Sequence, residues 1–263
     1  MDLSIIIVNY KSREKTKVCL DSIFKADLEG VEYEVILIDN NSGDNLEDLD
    51  SEYSKLKLIK NDKNLGMGGG NNLGVKNSKG EYVLILNPDT EIKRDSIKKM
   101  FEYIKNREDV AIVGPKLLNT DLSLQYSCAY FPRPWTPIFR RTFVGMFFER
   151  HLNWFLMKDF SHNEEREVDW LMGSCLFIRA RDFRGFDERY FMYFEDIDIC
   201  RQAWESGKKV VYYPDSVIIH HHARESANKR WYLDVFKNKL MREHLKSWYK
   251  YFKKWGLSRF NNK

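Results

Sequence analysis

Short runs of apolar residues, each ending in asparagine or aspartate, organise the first third of the chain. The runs cover 3–8, 33–38 and 82–86, and they end in Asn9, Asp39 and the sequence Asn87-Pro88-Asp89. Each run is short and rich in β-branched residues, which predicts a buried strand. Because the carboxyl ends of parallel strands meet at one edge of a sheet, we expect these polar residues to converge on one crevice.

A helical pattern separates the first two predicted strands, since Val18, Leu20, Ile23 and Phe24 recur at helical spacing. Alternation of strands and helices is typical of an α/β fold, in which helices flank a mostly parallel sheet. The 263 residues are enough for one such domain with an elaboration.

The sequence Asn87-Pro88-Asp89 carries the first chemical signal. Pro88 cannot continue a strand ladder, so the chain turns there and leaves Asp89 at the carboxyl end of the strand. A carboxylate in that place suits Mg²⁺ or Mn²⁺ bound to a phosphate, because Mg²⁺ takes few carboxylates together with phosphate oxygens. The alternative is an ordinary strand followed by a turn.

A glycine-rich stretch, 64–74, follows a short strand over 57–60. It matches a dinucleotide fingerprint poorly, because Asn71 holds the third glycine position and the stretch follows the third strand. We expect a loop whose backbone approaches a ligand closely and a helix that starts near Asn71. A merely flexible loop is the alternative.

Composition sets limits on the class of protein. The hydrophobic content of 43% supports a real core, and no apolar run reaches the length that spans a bilayer. We expect no signal peptide, because Met1-Asp2 leads directly into a strand. The four cysteines lie far apart, which favours a reduced, cytoplasmic protein without disulfides.

Four separate motifs together resemble the family 2 inverting glycosyltransferases of the GT-A fold, rhamnosyltransferase-like branch. They are Asn9-Tyr10, residues 39–42, the glycine-rich stretch with Asn64 and Asn71, and Asn87-Pro88-Asp89. Further motifs at 169–179, 185–188, 191–198 and 214–226 extend the resemblance over residues 1–228. It implies a nucleotide-binding half at 1–115, an acceptor and catalytic half at 116–228, and a basic aromatic helical tail at 229–263. One departure is Asn87, which stands where the family usually has the first aspartate of its metal motif.

The resemblance also implies roles for single residues. Nucleotide and donor contacts are implied for Val8, Asn9, Tyr10, Asp39, Asn40, Asn41, Asn64, Gly66, Asn71, Asn87 and Pro88. Asp89 would hold the metal on the donor diphosphate, and Trp170, Gly173 and Ser174 would contact the acceptor.

An acidic cluster, Glu195, Asp196 and Asp198, follows the aromatic stretch 191–194. Helical spacing of Ile197 and Cys200 predicts a helix that begins at Glu195 or Asp196. An apolar surround raises a carboxyl pKa toward the range of a general base. In the family the aspartate of this motif is the base, which implies Asp196, with Glu195 as the alternative; plain capping of a helix is the non-catalytic interpretation.

Three histidines, 220–222, follow a predicted strand over 217–219. Neighbours on an extended chain alternate sides, so these three cannot easily bind one metal together. The resemblance implies that a histidine here contacts the metal or diphosphate, which favours His220 first and His222 second. Ordinary polar residues at a strand end are the alternative.

Two basic aromatic regions remain, 130–160 and the tail. The tail from Ala227 carries 11 Lys or Arg against two acids, and its aromatic residues follow a rough helical stripe. Such segments suit a membrane surface, while a terminal helix packed on the domain is the alternative. No nucleic-acid module is recognisable.

The resemblance therefore implies a metal-dependent, inverting hexosyltransferase that moves a sugar from dTDP-rhamnose or a UDP-sugar to a lipid-linked or polysaccharide acceptor. Its expected place is the cytoplasm, peripheral at the inner face of the membrane. Two alternatives stay open: a sugar-1-phosphate nucleotidyltransferase and a catalytically inactive carbohydrate-binding homologue. The nucleotidyltransferase would be expected to carry a glycine-rich loop after the first strand, where this chain has Asn9-Tyr10-Lys11-Ser12-Arg13.

Overall fold

A computed structural model describes residues 1–141, 143–221 and 239–256. Ten strands form one sheet in the order β3-β2-β1-β4-β11-β6-β12-β5, with β7 and β9 at its margins. In chain order the strands are β1 Leu3–Asn9, β2 Tyr33–Asp39, β3 Leu56–Lys60, β4 Tyr82–Leu86, β5 Thr90–Ile92, β6 Val110–Leu118, β7 Leu124–Gln125, β8 Cys128–Ala129, β9 Arg166–Glu167, β10 Trp170–Leu171, β11 Cys175–Arg179 and β12 Lys209–His220.

The sheet has a parallel part and a mixed part. Strands β1 to β4 pair in parallel, whereas β11 runs antiparallel to both β4 and β6. A two-stranded ribbon of β8 and β10 lies beside this second part. The predicted α/β class is confirmed, and the strict parallel order is confined to the N-terminal half.

Helices flank the sheet. They are α1 Arg13–Phe24, α2 Glu47–Glu52, α3 Gly66–Lys76, α4 Ser96–Lys105, α5 Thr136–Arg141, α6 Glu149–Phe155, α7 Glu195–Glu205 and α8 Lys239–Trp255, with short 3-10 helices at Phe143–Phe148 and Ala180–Asp182. Neighbouring residues of β1 face opposite sides, so Ile5 and Ile7 join one core layer while Ile6 and Val8 join the other. Within the described ranges, no helix is both long and apolar enough to cross a membrane.

The glycine-rich stretch is mostly helix, which corrects the loop expected there. Helix α3 begins at Gly66, five residues before Asn71. A Cβ atom at Gly70 would lie 2.8 Å from the Val8 side chain, and one at Gly74 would lie 2.2 Å from that of Ile6. The glycines therefore let a helix lie directly on β1, a packing role that the motif did not reveal.

The tail helix α8 packs against the body. Asp198 is fully buried and accepts hydrogen bonds from Trp255 (2.6 Å) and Lys254 (2.7 Å). Trp248 donates to the Pro134 carbonyl at 2.9 Å, and Tyr251 is completely buried. Trp248, Tyr251 and Trp255 thus contact the protein, whereas Tyr249 is 61% exposed. Trp231 and the boundary at 228 lie outside the described residues, and membrane contact of the tail stays a prediction.

Candidate active site

The polar ends of the parallel strands form a rigid frame, here called the polar edge (Asn9, Asp39, Asn40 and Asp89). Asn9 is fully buried, and its amide donates to Ser42 and to Asp44 (2.9 Å). Its carbonyl oxygen accepts hydrogen bonds from the hydroxyls of Ser12 and Thr16. All the hydrogen-bonding groups of the Asn9 side chain are occupied, so it orders the loop and is not aimed at a base.

Asn40 has the same framing role. Its amide donates to Asn64 and to the Gly66 carbonyl, and its oxygen accepts from Asn61 and from the Leu65 amide. These bonds fasten the end of β2 to the start of α3.

Asp39 differs from the two asparagines because its second oxygen, Oδ2, makes no hydrogen bond with a described residue. One oxygen, Oδ1, accepts from the Ser42 amide (2.9 Å) and hydroxyl (2.6 Å). Beside it, Asn41 is exposed in a left-handed conformation (φ 59°), and Tyr10 is 46% exposed at the end of β1. The exposed Tyr10 ring and the second Asp39 oxygen are the groups here that suit contact with a ligand.

Gly66 connects this frame to the acidic cluster. It adopts φ +75°, and a Cβ atom there would lie 2.1 Å from the Phe191 carbonyl oxygen. The Met67 amide donates to that same carbonyl at 3.2 Å. Only glycine fits so close an approach, which sets the loop before Glu195 against the start of α3.

Asp89 meets His220, as the motifs led us to expect. Burial raises the pKa of Asp89, but the hydrogen bond and charge of His220, together with Lys15, outweigh it and hold the pKa below its usual range. The His220 Nε2 atom lies 3.2 Å from Asp89, and its Nδ1 atom lies 2.7 Å from the Gln125 side-chain oxygen. Since that oxygen can only accept, Nδ1 donates to Gln125, and this bond orients the ring so that Nε2 faces Asp89.

The pair fits a divalent cation that also binds a diphosphate. An ionised carboxylate and an imidazole with its second nitrogen fixed by Gln125 are suitable ligands. In the described part of the chain no three His, Cys, Asp or Glu residues gather closely enough to hold a metal by themselves. His221 turns the other way to Glu91 (3.1 Å), and His222 lies outside the described residues.

A cavity of about 400 Å³ opens beside this pair, a size that suits a small ligand. His220, Asn87 and Asn71 line one part of it, and Glu195 and Asp196 line another. The four residues of the polar edge lie outside the lining of this cavity, at the neighbouring strand ends.

Glu195 and Asp196 open helix α7, as predicted. The two residues before them, Tyr193 and Phe194, are both left-handed (φ 69°), an uncommon conformation for aromatic residues. Burial, together with the charge of Asp196, raises the pKa of Glu195 to about 8. Burial also raises the pKa of Asp196, although hydrogen bonds from the Gly173 and Ile197 amides oppose the shift.

The two carboxyl groups differ in the hydrogen bonds that they accept. Asp196 receives two backbone N–H groups, from Gly173 (3.1 Å) and Ile197 (2.9 Å). The Glu195 Oε2 atom is buried and makes no hydrogen bond with any described residue. The two backbone hydrogen bonds therefore favour the charged form of Asp196 over that of Glu195, so Asp196 is the member of the pair that gives up its proton more readily.

The three expected acceptor residues line the same cavity. A Cβ atom at Gly173 would lie 3.1 Å from the Asp196 Cβ, so the glycine allows the β10–β11 turn to touch the acid. The Ser174 hydroxyl is buried without a hydrogen bond among the described residues, and Trp170 donates to the Tyr130 carbonyl. We call Gly173, Ser174, Glu195 and Asp196 the acidic wall.

Sequence reasoning did not assign three residues at this site. Gln125, which orients His220, sits in a two-residue strand with no motif around it. Arg140, which lowers the pKa of Asp196, and His244 on α8 also line the cavity. The basic aromatic character of 130–160 and of the tail was the only sequence signal for Arg140 and His244, and Gln125 had none.

This fold is that of GT-A glycosyltransferases. It resembles the crystal structure of GalNAc-T7 with UDP, GalNAc and Mn²⁺ (TM-score 0.71, 16% identity, 96% of this chain and 48% of that one). It also resembles S. aureus TarS 1-349 (TM-score 0.60, 18% identity, 84% and 60%). At these identities the likeness establishes the fold alone.

The chain belongs to glycosyl transferase family 2, whose model matches residues 4–162. It is 30% identical to the rhamnosyltransferase WbbL of Escherichia coli K12 over 94% of this chain and 91% of that protein. It is 33% identical to the low-salt glycan biosynthesis hexosyltransferase Agl10 of Haloferax volcanii over 77% of this chain and 61% of that protein. The chain thus spans less than two thirds of the length of Agl10.

Proposed function

We propose that this protein is an inverting hexosyltransferase. It takes a sugar from a nucleotide donor, dTDP-rhamnose or a UDP-sugar, and transfers it to a hydroxyl of a lipid-linked or polysaccharide acceptor. Similarity to two rhamnosyltransferases supports the donor class. One of them, from Mycobacterium tuberculosis, is named for an N-acetylglucosaminyl-diphospho-decaprenol acceptor (28% identity, 73% of this chain).

The nucleotide would lie along the polar edge. Asp39 presents its second oxygen to the ribose or base, and Tyr10 supplies a ring on which a base can stack. Asn9, Asn40, Asn64 and Gly66 act by fixing this edge, and Val8, Asn41, Asn71, Asn87 and Pro88 surround it.

Asp89 and His220 would hold a divalent cation, Mg²⁺ or Mn²⁺, against the donor diphosphate. When bound, the cation offsets the negative charge that the diphosphate gains as the glycosidic bond breaks. Gln125 orients His220 so that Nε2 faces Asp89. Asn87 adds no charge here, so we expect weak cation binding until the nucleotide supplies further oxygens.

Asp196 would act as the general base. It removes the proton from the acceptor hydroxyl while the acceptor oxygen bonds to the anomeric carbon from the face opposite the diphosphate. The bond from that carbon to the diphosphate oxygen breaks in the same displacement, so the configuration inverts. Burial raises the pKa of Asp196, which makes it a stronger base than an exposed carboxylate.

The observation that carries the proposal is the meeting of two different acid sites at one cavity. His220, paired with an ionised Asp89, and a buried carboxyl pair both line it. A nucleotidyltransferase needs the cation, but it does not need a buried pair of carboxyl groups with raised pKa values. The geometry therefore favours the glycosyltransferase.

Thermal-shift measurements with UDP, dTDP and GDP, each with and without Mn²⁺ or Mg²⁺, test the donor half. We expect a cation-dependent rise in melting temperature with UDP or dTDP. Transfer to a lipid-diphosphate sugar, followed by NMR of the new linkage, tests the reaction and its inversion. Donor binding without any transfer would favour the inactive carbohydrate-binding alternative, and no nucleotide effect would contradict the proposal.

A further inference from the structure

A cluster of exposed apolar side chains lies next to the cavity. Met146 and Phe147 are 75% and 77% exposed, more than any other large apolar residue in the described ranges. Trp135, Ile138 and Phe148 are exposed as well and come from the same stretch. We call α5, the following 3-10 helix and α6 the aromatic hairpin, and Met146 with Phe147 its tip.

The tip is exposed because the hairpin folds around other residues. The Phe139 and Phe148 rings stack at 4.0 Å, and Thr136 and His151 form a 2.8 Å hydrogen bond. A Cβ atom at Gly145 would lie 2.0 Å from the Phe139 carbonyl oxygen, so only glycine allows the 3-10 helix this close to α5. These contacts occupy the inner side chains and direct Met146 and Phe147 outward.

The aromatic hairpin also forms part of the cavity rim. Thr136, Pro137 and Arg140 line the cavity, and the charge of Arg140 lowers the pKa of Asp196. Whatever the hairpin contacts is therefore brought close to the acidic wall.

The surroundings of the tip are cationic. Arg140 and Arg150 are exposed on the hairpin, where Glu149 is the only acid between Trp135 and Phe155. Helix α8 contacts the segment just before the hairpin, where Trp248 donates to the Pro134 carbonyl, and it carries the exposed cations Arg242 and Lys253. A protruding apolar tip bordered by cations complements an anionic lipid surface, where each basic residue adds attraction and the apolar side chains enter the interface.

We propose that the aromatic hairpin is a membrane-docking element. Its tip inserts Met146 and Phe147 into an anionic bilayer surface and holds the cavity mouth against it. The inference rests on the proposed function in one respect, the acceptor. If the acceptor is lipid-linked, it would reach Asp196 from the membrane. In α8, by contrast, Trp248, Tyr251 and Trp255 contact the protein, and Tyr249 is the aromatic residue that is exposed among the described residues.

Vesicle co-sedimentation tests the docking without any need for activity. Full-length protein is mixed with phosphatidylcholine vesicles, with and without 30% phosphatidylglycerol, at low and high salt. We expect binding to the anionic vesicles that weakens with salt. The double variant Met146→Ser/Phe147→Ser should bind about tenfold less or weaker still, because two apolar side chains no longer leave water.

The matched control is Val18→Ser/Leu122→Asn, which removes two exposed apolar side chains elsewhere (47% and 60% exposed). It should sediment like the unmodified protein. A Phe147→Trp variant should gain fluorescence that brominated lipids quench, which reports insertion at that residue directly.

Three outcomes would overturn the inference. They are equal sedimentation of the hairpin and control variants, no added quenching in Phe147→Trp, and a drop in solution mass of Met146→Ser/Phe147→Ser measured by light scattering. The last result would assign the tip to contact between two copies of the chain. The cation-dependent thermal shift with nucleotide is measured on the same variants and should be unchanged, so failure of docking and failure of the proposed function are read separately.

Discussion

The polar edge and the acidic wall use buried polar groups in opposite ways. At the polar edge, Asn9 and Asn40 occupy every donor and acceptor of their side chains. At the acidic wall, one Glu195 oxygen and the Ser174 hydroxyl are buried without a hydrogen bond among the described residues. A satisfied network stabilises and orders, whereas an unsatisfied carboxyl group costs stability and keeps its proton.

The contrast suggests a division of labour within one site. In the proposed function the polar edge holds the donor in a fixed geometry, for which rigidity is useful. At the acidic wall, Glu195 and Asp196 are buried, and this burial raises the pKa values of both carboxyl groups. The left-handed Tyr193 and Phe194 lie on the acidic side, where strain at a functional site is typical.

The largest expected effect is on the acidic wall. Asp196→Asn should leave donor binding intact and lower turnover by about 100-fold or more, the low end for loss of a general base. Steady-state transfer and nucleotide calorimetry measure the two quantities. If Glu195→Gln causes the loss instead and Asp196→Asn does not, the roles of the two acids are reversed.

The next effect is at the polar edge. Asp89→Ala should weaken Mn²⁺-dependent binding of UDP or dTDP at least about tenfold with the fold intact, because the ionised ligand is gone. Gln125→Ala should weaken it less, about tenfold at most, by releasing His220. Glu91→Gln, at the neighbouring strand position, is the control. Unchanged calorimetric affinity in Asp89→Ala would contradict the metal assignment.

A third comparison separates the structural acid of α7 from the catalytic pair. Asp198→Asn should lower the free energy of unfolding by about 2 kcal/mol, since it weakens charged hydrogen bonds from Lys254 and Trp255. Urea denaturation measures the loss, and Lys246→Gln on the exposed side of α8 should leave the midpoint unchanged. A stable Asp198→Asn variant would show that α8 is held by its apolar contacts alone.

The last comparison concerns the pH dependence of stability. The pKa of Glu195 is about 8 when folded, against 4.5 as its ordinary value, so the folded state holds a proton that the unfolded chain releases. The unfolding free energy should therefore fall as pH rises from about 5 to 8. Glu195→Gln should flatten this slope, while Glu29→Gln at an exposed position should not. Equal slopes would mean that Glu195 is not held protonated.

Local pattern revealed much of the architecture in advance. The strands at 33–39 and 82–86 and the helix start at Glu195 follow from short-range periodicity and are confirmed. The meeting of Asp89 with His220 joins residues far apart in sequence, and it was reached through family motifs, not through spacing.

Short-range sequence pattern failed where packing partners distant in the chain decide the structure of a segment. The glycines of α3 predict a loop because glycine has a low helix propensity, which is visible in the sequence. Their close contact with Ile6 and Val8, which favours glycine there, is not visible in the sequence. The same holds for α8, whose aromatic stripe suits lipid or protein equally well until Asp198 and Pro134 are seen beside it.

The sequence by itself determined the strand ends, the acids placed on them and the family of the chain, because these depend on residues near one another or on recurring motifs. Only the tertiary structure decided that Asn9 and Asn40 are frame residues, that Gln125 orients His220, and that the aromatic hairpin lines part of the cavity. Each of these depends on burial and on partners distant in the chain, and a carboxyl pKa such as that of Glu195 is set by solvent exclusion, which no linear pattern records.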